Sequence, residues 1–314
     1  MPSERRSLVI ETIYDPEEAG KGPATLDLVL IHGLDGDRIN TWTHPKTKVF
    51  WPRDLLPKKQ PRTRVLSFGY NADILGNTSI AGIRGNARAL LARLKDERED
   101  DEAEVRPLVF VAHSLGAIIV KQALRFAANE AEYHQLAAAT RGLLFYGAPH
   151  HGADQDRWLA ISKSFGRLVP CLPGLSKSNS NNVSPLVESL ARSSRDIADI
   201  CEDFRQLAQR FAVISFYETR AWPGTKEPIV DKLSSVMNIA HEDQVPLEAD
   251  HLQLVRFEDE NDDAFRLTYK RIARAAKGVP GYEPRFGYGA AAGGRNVINQ
   301  YVWVGGAPGS GKRV

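Results

Sequence analysis

The stretch Leu108-Val-Phe-Val-Ala-His-Ser-Leu-Gly-Ala-Ile-Ile-Val120 decides how the chain folds. A run of apolar, mostly β-branched or aromatic residues stops at Ala112-His113, and after Ser114 the apolar positions continue as Ile118, Ile119, Leu124 and Phe126. A short continuous apolar run followed by helical spacing predicts a buried strand, a one-step turn and a helix, with a serine at the bend. Such a bend lifts the hydroxyl clear of the sheet edge and turns the N–H of the next residue, Leu115, toward the same space. Strand and helix backbones pass close to each other there, so the positions two before and two after the serine must be small. Ala112 and Gly116 meet that need, with alanine where glycine is the commoner choice. Ser114 could instead do no more than cap the helix. The rest of the chain separates these readings by whether it supplies a base, an acid and a second amide.

The bulk properties narrow the setting. A chain of 314 residues predicts one large domain plus something extra. Its 42% apolar and 25% charged residues are those of a soluble globule with a sizeable core. A net charge of +2 predicts no general attraction to nucleic acid or to anionic membrane. Cys171 and Cys201 cannot build a disulfide framework and fit a reducing compartment. The N-terminus does not read as a signal peptide, and no apolar run is long enough for a transmembrane span. The expectation is a soluble, cytoplasmic protein.

Outward from the elbow, the chain repeats its strand–helix rhythm. Residues 1–23 hold a first alternating strand (Leu8, Ile10, Ile13) and a charged loop. Leu26-Asp-Leu-Val-Leu-Ile31 is a buried strand running into His32-Gly33-Leu34-Asp35-Gly36, a turn that would place the N–H of Leu34 opposite the elbow. A glycine turn beside a packed histidine is the plainer reading of the same residues. Thr41 to Leu56 carries Trp42, Phe50 and Trp51 and reads as an irregular loop anchored by its aromatics. Thr63 to Gly69 is a strand. Ser79 to Glu99 is an amphipathic helix whose charged tail, Lys95 to Glu104, reads as solvated. Arg141 to Tyr146 is another buried strand, ending in Gly-Ala-Pro-His-His-Gly152. This rhythm predicts a mostly parallel, doubly wound sheet, in which ligands sit beyond the carboxyl ends of the strands. His32, Ser114 and His150 all fall on that rim.

Residues of about 153–210 break the rhythm. They hold Trp158, Ile161, Phe165 and Leu168, a polar tract, and a long helix carrying Ile197, Ile200 and Phe204. They read as a helical insertion over the rim, either a lid or acyl-accepting wall or an ordinary packed helix pair. Ala212 to Glu218 is a strand ending in an acid. Pro228-Ile-Val-Asp231 reads as a shorter strand, also ending in an acid. Asp250-His251 lies in a loop, and Asp263 to Ala276 is a closing helix.

A serine hydroxyl becomes a nucleophile near neutral pH only with a histidine base, and the histidine needs a carboxylate to fix its tautomer and stabilise its cation. Ser114, Glu218 and His251 fall in the chain order of serine, acid, histidine. Asp231 is the alternative acid and His241 a weaker alternative base. The side chain of Asp250, adjacent to His251, should point elsewhere. The amides of Leu34 and Leu115 are the candidate oxyanion hole. No Cys/His cluster has metal-ligand spacing, so neither metal nor other cofactor is expected.

Six blocks carry a resemblance: Ile31-His-Gly-Leu-Asp-Gly36, Ala112-His-Ser-Leu-Gly116, Phe145-Tyr-Gly-Ala-Pro-His-His-Gly152, Phe216-Tyr-Glu-Thr219, Ile229-Val-Asp231 and Ala249-Asp-His251. In this order they resemble the serine-active-site-containing-protein-like α/β-hydrolases, relatives of the lipase and GPI inositol-deacylase group. Ala112 departs from the usual glycine, and Leu233-Ser-Ser-Val236 from a more usual acidic-Ser-Ala pattern. The resemblance implies an α/β-hydrolase domain over residues 24–277 and a triad of Ser114, Glu218 and His251. It also implies a serine hydrolase for a small-molecule or lipid ester, with some members associated with mitochondria or endoplasmic reticulum.

The C-terminal part reads differently. Residues 278–299 are rich in Gly, Pro and Ala and read as a linker. Within residues 300–314 a short strand runs into Gly306-Ala-Pro-Gly-Ser-Gly-Lys312, matching the G-x-x-x-x-G-K of a phosphate loop. Gly306, Gly311 and Lys312 would be its phosphate-cradling residues, with Arg313 where Ser or Thr should hold magnesium. The arrangement resembles the N-terminal hydrolase domain of a fungal NOD-like receptor cut at the start of its NACHT-type NTPase, which would allow oligomerisation through that NTPase. It also leaves open an effector or interaction module with little turnover.

Overall fold

A computed structural model describes residues 8–34, 36–70, 80–100, 103, 105–150, 160–161, 163–165 and 193–281. Among the described residues seven strands form one sheet: β1 (Val9–Tyr14), β2 (Leu26–Ile31), β3 (Thr63–Gly69), β4 (Leu108–His113), β5 (Thr140–Tyr146), β6 (Ala212–Glu218) and β7 (Asp243–Leu247). Their order across the sheet is β1-β3-β2-β4-β5-β6-β7. β1 runs antiparallel to β3, and every other pair is parallel. Helices Ile80–Asp100, Gly116–Asn129, Ser194–Ala208 and Asp263–Ala275 accompany the sheet. This is the α/β-hydrolase fold.

The central strands explain themselves. β2, β3 and β4 are buried at every position, as strands covered on both faces must be; β4 is apolar up to His113, whereas β2 carries the buried Asp27 and β3 the buried Thr63, Arg64 and Ser67. The chain steps from β2 outward to β3 and then back across β2 to β4, so the winding direction reverses between β2 and β4. Loops leaving the carboxyl ends of those two strands part there and open a crevice. The Gly33-Leu34 turn and Ser114 stand on its two sides.

Two late segments differ from expectation. Residues 228–231 form a turn and no strand, although Ile229 and Val230 are 2% and 0% exposed. Their burial comes from packing against Ile161, Phe165, Ile197 and Trp222. The last strand is Asp243-Gln-Val-Pro-Leu247 instead. It hides in the sequence because only Val245 and Leu247 are buried and Pro246 interrupts the run. Proline is tolerated because β7 is an edge strand, where a missing N–H costs no ladder bond.

The aromatic loop anchors as its composition suggests. Trp42 and Trp51 are fully buried, and the Trp51 indole N–H donates to the Val255 carbonyl at 3.0 Å. That bond ties the first third of the chain to the loop that follows His251. The charged tail of the long helix is only partly solvated. Arg98 is 1% exposed and pairs with the buried Asp27 at the amino end of β2, which Arg64 and Arg106 also contact. This ionic cluster sits at the end of the sheet opposite the elbow. The described residues fall within one compact unit; most of the segment between 151 and 192, most of the linker, and Gly306, Gly311 and Lys312 lie outside them.

Candidate active site

Ser114 follows β4 directly and has φ +56°, a left-handed conformation rare for a residue with a side chain. Strain of this kind costs about 1–3 kcal/mol and persists where the surroundings over-determine it. Here the Ser114 N–H donates to the Tyr146 carbonyl at 2.8 Å, and the Ser114 carbonyl accepts from Ala117 N–H at 3.1 Å. The elbow is therefore pinned from β5 and from its own helix. Gly116 allows the turn: a Cβ there would sit 2.3 Å from the His32 carbonyl oxygen and 2.8 Å from that of Ile31. Alanine at 112 fits because it lies within β4, opposite Ile31 and Phe145 in register, where no such contact arises.

His251 reaches the elbow from the loop after β7. Its Nε2 lies 2.9 Å from Ser114 Oγ and its Nδ1 3.0 Å from Glu218 Oε1. A carboxylate accepts hydrogen bonds and cannot donate them, so the proton sits on Nδ1 and the Nε2 lone pair faces the serine hydroxyl. Glu218, at the end of β6, is also held by two backbone donors, Val230 N–H at 2.8 Å on Oε1 and Ile229 N–H at 3.2 Å on Oε2. This is why residues 228–231 turn: a strand there would spend those amides on a ladder. All three side chains are buried, Ser114 and His251 to 1% exposure and Glu218 to 3%.

Neither the alternative acid nor the alternative base belongs to this chain of bonds. Asp231 caps the short helix Lys232–Ser235, accepting from Ser234 N–H at 3.0 Å and from Ser234 Oγ at 2.7 Å. Asp250 accepts from the N–H groups of Leu252 and Gln253 and so shapes the loop that carries His251. His241 is exposed. His32 is a packed histidine: its Nδ1–H donates to the Gly33 carbonyl, its Nε2 accepts from Tyr70 N–H, and its ring stacks on Tyr70 at 4.2 Å. Among the described residues no group of His, Cys, Asp and Glu side chains has metal-holding geometry.

The turn after β2 passes close by the elbow. A Cβ on Gly33 would lie 2.7 Å from Ser114 Cβ. Among the described residues no acceptor meets the N–H of Leu34 or of Leu115. The side chains of Leu34, Leu115 and Leu252 pack on an apolar cluster that includes Ile118, Phe165 and Trp222. Phe165, from the insertion, meets the His251 ring edge-on at 5.7 Å.

Sequence reasoning missed three contributors. Gly147, at φ +54°, passes beneath His251; a Cβ there would lie 3.0 Å from His251 Nδ1 and Cε1. The backbone donors of Ile229 and Val230 were hidden in a stretch that reads as a strand. His113, next to the serine in the chain, contacts the His251 loop through its ring. Only the glycine, at a strand's carboxyl end, had a legible signal.

Comparison with known proteins adds to this geometry. A family model described as "Putative serine esterase (DUF676)" matches residues 26–153, from β2 through the elbow to the rim after β5. The chain is similar to Protein SERAC1 of Danio rerio, 26% identical over 289 residues, covering 85% of this chain and 41% of that protein. It is similarly related to Protein SERAC1 of Homo sapiens, 26% identical over 291 residues, covering 84% and 41%. The chain thus spans about two-fifths of the length of these curated relatives. Among solved structures it is similar to YbtT, a type II thioesterase from a yersiniabactin biosynthetic pathway, with TM-score 0.49 and 15% identity over 86% of this chain and 98% of that one.

Proposed function

We propose that this chain is a serine hydrolase that cleaves an ester through Ser114, His251 and Glu218. The observation that carries the reading is the unbroken hydrogen-bond chain from Ser114 Oγ through His251 to Glu218, on a serine held at φ +56°. His251 Nε2 takes the hydroxyl proton as Ser114 Oγ bonds to the ester carbonyl carbon. Negative charge then builds on the carbonyl oxygen, where the N–H groups of Leu34 and Leu115 are its donors. Glu218 stabilises the imidazolium formed. Collapse breaks the bond to the alcohol, which leaves with the proton from His251. Water, deprotonated by His251, releases the acid and restores the serine.

The apolar surroundings of the oxyanion residues favour an ester with an apolar acyl or alcohol part, such as a lipid ester. The similarity to a serine esterase family over residues 26–153 supports the same reaction class. Among the described residues no helix is long and apolar enough to cross a membrane. A fluorophosphonate probe tests the reading: the wild-type protein is expected to label at Ser114 and Ser114→Ala to lose labelling. An unlabelled wild type, or equal labelling of both, would overturn it.

A second reading draws on Gly306-Ala-Pro-Gly-Ser-Gly-Lys312. That phosphate-loop pattern favours a hydrolase-fold module linked to a NACHT-type NTPase, where signalling output matters more than turnover. Full cellular output from Ser114→Ala would select it.

A further inference from the structure

His113 is the last residue of β4 and immediately precedes the nucleophile. Its side chain is 5% exposed, and its Nε2 lies 2.9 Å from the backbone carbonyl oxygen of His251. A carbonyl only accepts, so Nε2 carries the proton and donates. The two imidazole rings sit 4.9 Å apart at 43°. On its other side, His113 Nδ1 lies 3.2 Å from where a Cβ on Gly33 would be. One buried ring therefore fills the space between the turn that carries Leu34 and the loop that carries His251. Among the described residues His113 is the donor to the His251 carbonyl.

Resting on the serine-hydrolase reading above, we propose that His113 is a positioning residue: its Nε2–H bond to the His251 main chain fixes the base relative to the serine. The argument is geometric. The ring of His251 is oriented by its two side-chain hydrogen bonds, but the placement of its Cα depends on a loop. That loop is held from within by Asp250, through the Leu252 and Gln253 amides, and from the nucleophile strand by His113. Because the anchoring residue is the chain neighbour of Ser114, any shift of the elbow carries the base with it and keeps the Nε2–Oγ distance. Proton transfer is steep in this distance, and a displacement of about 1 Å can cost on the order of 100-fold in rate. An apolar ring of the same size would fill the space but leave a buried carbonyl without its donor.

Three variants test the proposal: His113→Gln, whose amide nitrogen reaches about as far as Nε2; His113→Asn, whose amide reaches only as far as Nδ1; and His113→Phe. The measurements are the second-order rate of fluorophosphonate labelling at Ser114 and, with an activated ester, kcat and KM separately. Gln is expected to keep the rate within about threefold of wild type, whereas Asn and Phe lose roughly 10–100-fold in kcat at little-changed KM. Equal rates for Gln and Asn, or wild-type labelling by a folded Phe variant, would overturn the proposal. The Gln–Asn pair decides the matter even where Phe does not fold, because both replacements are small and polar. An unlabelled wild type would instead sink the underlying serine-hydrolase reading.

Discussion

Replacing Glu218 by glutamine isolates what the carboxylate contributes, and the structure sets the size of both consequences. Oε1 serves His251 Nδ1 and Val230 N–H, while Oε2 serves Ile229 N–H alone. The amide of glutamine will therefore keep its oxygen at the Oε1 position and turn its NH2 toward Ile229. That orientation keeps the histidine tautomer and orphans one buried backbone donor, which costs about 1–3 kcal/mol of stability. For a domain of this size each kcal/mol lowers Tm by roughly 2–4 °C. The catalytic loss is larger, because a neutral amide cannot stabilise the imidazolium formed as the serine proton moves. In serine triads an amide in place of the carboxylate costs about 10⁴-fold in turnover where it also imposes the wrong tautomer, or about 5 kcal/mol at 1.36 kcal/mol per tenfold; with the tautomer kept, that figure is the upper bound for Glu218→Gln. The assay pairs the rate of fluorophosphonate labelling with thermal unfolding, and Asp231→Asn serves as the comparison. Asparagine at 231 can still accept from Ser234 N–H, so its capping loss should stay under about 1 kcal/mol, with labelling near wild type. Labelling of Glu218→Gln within threefold of wild type would refute this reasoning. So would a loss in Asp231→Asn as large as that in Glu218→Gln, because the acid would then be Asp231.

Two further outcomes are expected. Gly116→Ala would press a methyl group onto the His32 and Ile31 carbonyls, backbone atoms that cannot rotate away. The cost should be at least about 1–3 kcal/mol, read as a Tm several degrees lower with impaired labelling; an unchanged Tm would contradict the close approach. The second concerns acid stability. Burial, followed by the nearby His251, Arg256 and His32, holds the His113 imidazole well below its ordinary range. As pH falls below about 6.5, the unfolded chain takes up a proton that the folded protein refuses, so stability drops through that window. His113→Gln should lose about 1 kcal/mol less than wild type between pH 7.5 and 5.5, measured by denaturant unfolding, and parallel pH profiles would rule this out.

What the sequence determined by itself was whatever short-range pattern controls. The apolar run of β4, and that of β2 after Asp27, exist because both sheet faces are covered, and the small residue at 116 because two backbones meet there. Both constraints act within a few residues and so leave a readable trace. The chain order of Ser114, Glu218 and His251 was legible for the same reason: each follows or ends a local element. Tertiary structure alone decided how the late loops are used. Ile229 and Val230 are buried like strand residues, yet their amides face Glu218, eleven and twelve residues earlier. Asp231 ends the same apolar stretch but spends its oxygens on Ser234. Asp243–Leu247 pairs with β6 despite a proline because it lies at the edge. His113 meets a carbonyl 138 residues away, and Phe165 packs on the His251 ring, 86 positions later in the chain. Hydrophobic periodicity records which face of an element is buried. It carries no information about which distant loop a side chain or an amide at the end of that element will meet. That pairing is set by how β2 and β4 bring their carboxyl ends together, and there Ser114 meets His251.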